Sequence, residues 1–233
     1  MYNAEPEAAP AQAAAAPALV RTVLFDFDGV LIHGDAFGLF VRERYARSPL
    51  RKLLAALALP WLLLRLLFGR WWLLRSLVHL ALAGLDERRY ARAAQAFAAA
   101  LVRQPRRFNR DALQALRRHQ AAGDRVIVVT GCEEVLVRGI FDELGLEGLE
   151  ILASRLGPGW SGMRVRRHNF GPAKLRRLAE HGVDGWALAY SDSVHDLPML
   201  KAAGEAVLVN GTPALCKRLE KKLGRAVTRV SWY

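Results

Sequence analysis

Two aspartates one residue apart, Asp26 and Asp28, lie at the end of a run of β-forming apolar side chains over residues 22–27 (TVLFDF), and Gly29 follows. Alternation along a strand puts both carboxylates on one side, and the glycine lets the chain turn away. Two carboxylates at the carboxyl end of a buried strand are costly to hold without a cation or protons. The competing reading is a loop that caps the next helix. A second strand pattern, residues 125–130 (RVIVVT), ends in Thr130-Gly131. A hydroxyl and a turn of backbone N–H groups there suit a phosphoryl oxygen; otherwise Thr130 caps the helix that starts near Glu133. Lys174 opens a helix after Gly171-Pro172-Ala173, where its charge opposes the macrodipole. It is either solvated or placed to meet an anion. A further strand ends in Ser191-Asp192-Ser193-Val194-His195-Asp196, whose two acids suit a metal ligand and a partner that orients it. An N-cap cluster accounts for one of these acids, but not for both together with the first pair.

The elements that must position these residues alternate. Besides the strands over 22–27 and 125–130, residues 186–190 (WALAY) and 206–209 (AVLV) read as strands. Helical patterns cover residues 111–121, 133–144, 172–180, 197–203 and 213–223. Continuous apolar strands separated by helices predict an α/β fold, a Rossmann-like parallel sheet covered on both faces, with ligands beyond the carboxyl ends of its strands. Residues 154–167 carry turn signals between β-compatible residues and read as a hairpin. The Ala/Pro-rich residues 1–20 read as a disordered tail rather than a signal peptide. Cys132 and Cys216 offer neither a disulfide framework nor metal-ligand spacing, so a reducing compartment is the default. Cys132 beside Thr130 brings a cysteine phosphatase to mind, but no arginine-bearing phosphate loop follows it, and packing is the better reading.

The order and strand-end placement of the four motifs resembles the haloacid dehalogenase (HAD) superfamily of phosphohydrolases, from Arg21 to the C-terminus. Asp26 and Asp28 match its first motif, with Val30 where a threonine is commoner. Thr130 matches the second and Lys174 the third. Asp192 with Asp196 match the fourth, with Ser191 where a glycine is frequent. The resemblance implies the following roles. Asp26 attacks phosphorus and becomes an aspartyl-phosphate. Asp28 protonates the leaving oxygen and then activates water. Mg²⁺ sits between the Asp26 and Asp192 carboxylates and the Asp28 carbonyl. Thr130, Gly131 and Lys174 hold the phosphoryl oxygens, and Asp196 fixes either the metal side of the site or Lys174.

On this reading residues 21–35 and 109–233 form the catalytic core, and residues 36–108 are a helical, hydrophobic cap inserted after the first strand. The insertion holds two apolar runs, residues 53–68 (LLAALALPWLLLRLLF) and 71–85 (WWLLRSLVHLALAGL), each short of the ~20 residues that span a bilayer. From residue 42 to residue 75 eight basic residues face Glu43 alone, a local net charge of +7 within a chain of net +12. Leucines, tryptophans and flanking arginines suit an interface with acidic headgroups; a cap whose leucines pack on each other is the alternative. The segment Asp35-Ala-Phe-Gly-Leu-Phe-Val-Arg, Tyr190-Ser-Asp-Ser and Asp196-Leu-Pro-Met-Leu resemble the bacterial phosphatidylglycerophosphatase C family. That resemblance implies a lipid phosphate substrate, phosphatidylglycerophosphate giving phosphatidylglycerol. It also implies an anionic phospholipid partner and a place on the cytoplasmic face of the inner membrane. The alternative is a cytoplasmic small-metabolite phosphatase of the phosphoserine phosphatase type. A nucleic-acid-binding module using Arg164, Arg166 and Arg167 is a third class. It is disfavoured because no such motif is present and an acidic rim repels phosphate backbones.

Overall fold

A computed structural model describes residues 20–233, so the expected tail lies almost wholly outside the described residues. Seven strands form one sheet in the order β4-β3-β2-β1-β5-β6-β7. They are β1 (Thr22–Phe25), β2 (Arg125–Glu133), β3 (Glu150–Gly159), β4 (Gly162–Arg167), β5 (Trp186–Ser191), β6 (Ala203–Val209) and β7 (Thr228–Val230). Every pairing is parallel except β3 with β4. The expected hairpin over 154–167 is therefore present. Its first strand also extends the main sheet, pairing Ile151 with Val128 and Leu152 with Val129.

Alternation along β1 sorts the core. Val23 and Phe25 join the cluster on one face, with Phe40, Tyr90, Leu116 and Ile140; Leu24 joins the other, with Leu178, Leu200 and Leu219. Each face is covered by amphipathic helices. On the first lie α5 (Glu87–Val102), α6 (Arg110–Ala121) and α7 (Glu134–Glu143), and on the second α8 (Pro172–Glu180), α9 (Leu197–Ala202) and α10 (Pro213–Leu223). β1 is flanked by β2 on one side and β5 on the other. The chain order reverses there, and such switch points leave a crevice beyond the strand ends.

Three boundaries differ from the sequence expectation. β1 ends at Phe25, so Asp26 to Asp28 lie just past the strand, although Asp26 N–H still donates to the Tyr190 carbonyl at 2.9 Å. β2 does not end at Thr130-Gly131 but runs to Glu133, with a register irregularity between Val129 and Glu133. The N-cap of α7 is Glu133, whose side chain accepts from Leu136 N–H, rather than Thr130. A bulge of this kind re-aims side chains at a sheet rim.

Between β1 and α6 lie α1 (Ala36–Ala46), α2 (Pro49–Leu57), α3 (Leu59–Leu67), α4 (Arg70–Leu82) and α5. Pro49 and Pro60 each stand in the first turn of their helices, where a missing N–H costs nothing. α2 and α3 therefore divide the first apolar run into two short helices. Their leucines do not pack on each other as a self-contained core requires. Leu62 is buried, whereas Leu53, Leu57, Leu63, Leu64, Leu67 and Phe68 are exposed. No helix among the described residues is long and apolar enough to cross a membrane.

Candidate active site

The loop after β1 carries the first two acids. Asp26 is buried, and its Oδ1 accepts the N–H of Phe27 at 2.8 Å. Asp28 Oδ1 accepts the N–H of Ala36 at 2.8 Å, so the first turn of α1 orients it. Gly29 has φ +79°, and a Cβ there would overlap the Asp192 carboxylate. Glycine is thus required twice, for the left-handed backbone and for the close approach of the acid that follows β5. Asp192 is thereby placed against the first loop, across from a residue 163 positions earlier in the chain.

Lys174 comes from the first turn of α8, whose Pro172 follows Gly171 at φ +54°. Its ammonium is almost wholly buried, 2.9 Å from Asp26 Oδ1 and 2.8 Å from Asp196 Oδ1. Asp196 is buried too, and accepts the Ser191 hydroxyl at 2.7 Å. Of the two roles expected for Asp196, the geometry shows the contact with Lys174. Ser191, read in the sequence only as a departure from glycine, is the group that fixes Asp196.

A cleft of about 310 Å³ is lined by Asp26, Asp28, Gly131, Lys174, Asp192 and Asp196, together with Asp35, Phe170 and His195. The structure therefore brings the expected residues to one place, with one exception. Thr130 is fully buried beneath the rim, its hydroxyl accepting the Cys132 N–H at 2.9 Å, while Gly131 reaches the cleft. Asn169 braces this region by donating to the Thr130 and Leu152 carbonyls at 3.2 and 2.7 Å. It was not singled out from the sequence, where a lone buried asparagine carries no signal. Cys132 is buried in the core, and burial pushes its thiol well above the ordinary value, so it supplies no thiolate.

Burial dominates the electrostatics. It pushes Asp28 up to about 7 against the pull of the Ala36 N–H, with Asp35 adding to the rise. It pushes Asp192 up to about 6, reinforced by Asp196. Asp26 is also raised by burial, Lys174 pulling it back and Asp196 pushing it up. Burial pulls the Lys174 ammonium down, but Asp26 and Asp196 on either side outweigh it and hold the group above its ordinary value. Four carboxylates around one ammonium leave a surplus of negative charge. Among the described residues no group of three or more His, Cys, Asp or Glu side chains is placed to hold a metal ion by itself. Two carboxylates and a carbonyl with water completing the shell is the usual binding mode of Mg²⁺, so the donor set fits that ion.

Comparison with known proteins identifies the family. A model of haloacid dehalogenase-like hydrolases matches residues 23–201. Over 116 residues the chain is 29% identical to a histidinol-phosphatase of Neisseria meningitidis serogroup C, covering 45% of this chain and 51% of that protein. The chain spans about half or less of the curated relatives it matches. Among solved structures, a protein of unknown function from Bordetella pertussis Tohama I has a TM-score of 0.68 at 22% identity, covering 90% of this chain and 99% of its own. Phosphoserine phosphatase in its apo form has a TM-score of 0.55 at 18% identity, covering 90% and 94%. Those two likenesses concern the fold; the family model spans most of the chain and all four motifs but for its last residues, and the chain belongs to the haloacid dehalogenase-like hydrolase family.

Proposed function

We propose that this chain is a phosphomonoester hydrolase that works through a phosphorylated Asp26. The observation that carries the reading is the buried Asp26–Lys174–Asp196 chain, at 2.9 and 2.8 Å, beside an Asp28 that burial keeps protonatable near neutral pH. Asp26 Oδ attacks phosphorus as the ester oxygen departs. Asp28, whose carboxyl is raised to about 7, gives its proton to that oxygen and later takes one from the water that cleaves the acyl phosphate. Lys174 meets the phosphoryl oxygens, and so does the Gly131 backbone that lines the cleft, while Thr130, buried beneath the rim, positions that backbone through the Cys132 N–H. Asp196 holds Lys174 in position for this. The Asp26 and Asp192 carboxylates and the Asp28 carbonyl would hold Mg²⁺, which when bound lowers the repulsion between these acids and an incoming phosphate. Residues 21–35 and 109–233 are the proposed catalytic core and residues 36–108 the proposed cap.

Two leaving-group classes have support. The histidinol-phosphatase match and the phosphoserine phosphatase fold support a small metabolite. The exposed leucines and tryptophans of α2 to α4, with their excess of arginines, support a lipid phosphate at an anionic bilayer surface, as in the phosphatidylglycerophosphatase C family. Phosphate release from phosphoserine, histidinol phosphate and phosphatidylglycerophosphate in vesicles, each with Mg²⁺ and with EDTA, tests both. Release that needs Mg²⁺ supports the hydrolase, and the preferred ester separates the classes. Equal release in EDTA contradicts the metal assignment, and no release from any ester contradicts the activity.

A further inference from the structure

A second cavity, of about 530 Å³, adjoins the catalytic cleft and shares Asp35 and Gly131 with it. It lies between the insertion and the sheet. α1 contributes Phe37 and Val41, α2 Ala55, α4 Leu74 and Val78, and β3 Leu156. Leu74 and Trp71 are half-exposed, so the cavity opens to the surface on the α4 side. One wall is an aromatic ladder that runs from this cavity into the cleft. The Trp71 and His168 rings are 4.5 Å apart, His168 and Phe170 are 5.6 Å apart, and Phe170 and His195 are 4.9 Å apart. Trp71 and His168 border the second cavity, Phe170 and His195 the first.

We propose that this cavity receives the leaving group of the substrate and selects a phosphomonoester whose ester oxygen carries an apolar chain. The inference rests on the hydrolase reading and extends it to a substrate class. Size agrees, since ligand sites occupy roughly 300–1,000 Å³ and are mainly apolar with few polar groups. The polar groups present give an ammonium little to bind. Glu133 is engaged by the Tyr90 hydroxyl and the Leu136 N–H, and Asp35 already accepts the Gly38 N–H through one oxygen. Arg42 and Arg75, which make no ion pair among the described residues, repel an ammonium. A phosphate seated at Lys174 then directs an apolar chain past Asp35 and Gly131, along the ladder and under α4.

The test is a series of n-alkyl phosphates from ethyl to octyl, kept below their micelle-forming concentrations, with the full chain and Mg²⁺. KM falls with each added methylene, by about two- to fourfold over the part of the series that fits. Ala55→Trp, which fills the cavity, flattens that slope. The slope is a ratio within one variant, so a general loss of rate does not affect it, and Ala55→Leu gives an intermediate slope if the tryptophan prevents folding. Phosphatidate in vesicles forms a further arm: a KM below that of octyl phosphate assigns the chain to a bilayer, and a KM above it assigns it to a free amphiphile. Ethyl phosphate hydrolysis with no dependence on chain length overturns this inference and leaves the hydrolase reading standing. A slope unchanged in both Ala55 variants overturns the choice of cavity. Hydrolysis of no member of the series, with phosphoserine or histidinol phosphate turned over, also overturns this inference; release from none of these esters contradicts the hydrolase reading itself.

Discussion

The cleft at the strand ends and the outer face of α2 to α4 invert the usual distribution of polarity. In the cleft, Asp26, Lys174 and Asp196 are buried and bound to one another; on the outer face, Leu57, Leu67 and Phe68 stand in the open. Buried charges that lose a partner are costly to keep, whereas an exposed leucine on a short helix does little for the folded chain. Stability in the first region is therefore tied to chemistry. The second region has an apolar surface that folding does not use, which leaves it free for an external partner.

The contrast is broken most severely at Asp26. Asp26→Asn leaves the volume unchanged but removes the nucleophile, and steady-state phosphate release drops by about 10⁴-fold or more. Lys174→Ala strands Asp26 and Asp196 without their shared cation. Urea unfolding registers a loss of about 3–5 kcal/mol, and turnover falls with it; an unchanged midpoint would show that the buried chain does not hold the fold. The pH dependence of stability comes next. Asp28 and Asp192 are raised to about 7 and about 6 in the folded chain, above the ordinary carboxylate range. The folded state therefore retains protons that the unfolded chain releases, so stability falls as pH rises from about 4 to about 7 and levels off beyond. Mg²⁺ raises the melting temperature more at pH 7.5 than at pH 5, because it replaces those protons. The smallest effect belongs to the outer face. Leu57→Lys with Leu67→Lys changes the unfolding free energy by no more than about 0.5 kcal/mol per site, yet on the lipid reading it lowers sedimentation with anionic vesicles. A large stability loss there would show that these leucines pack after all.

The contrast also explains what was legible in the sequence. The cleft was readable because its chemistry sits at strand ends with punctuating glycines. Asp26, Asp28 and Asp192 follow apolar β runs, and Lys174 follows a Gly-Pro helix start. The path of β2 past Thr130 was not readable, since Gly131 looks like a stop, and pairing with β3, the brace from Asn169 and the Ser154 hydroxyl on the Gly131 carbonyl keep it extended. β7 is three residues held by pairing with β6 alone, too short for a periodic signal. Ser191 gave no hint because its value lies in a single hydrogen bond across five residues. In the insertion, composition announced helices and the two prolines marked their starts. Whether the leucines face inward depends on how α2, α3 and α4 lie against one another, which apolar runs without polar spacing do not encode.

The central claim is a covalent phosphoryl group on Asp26, and trapping it is the most direct measurement. Acid-quenching the enzyme during turnover and reducing it with borohydride converts an acyl phosphate to the corresponding alcohol. Peptide mass spectrometry then reads homoserine at the position of Asp26. The account predicts homoserine there, dependent on substrate and absent from Asp26→Asn. Turnover with an unmodified Asp26, or with the conversion at another carboxylate, would contradict it.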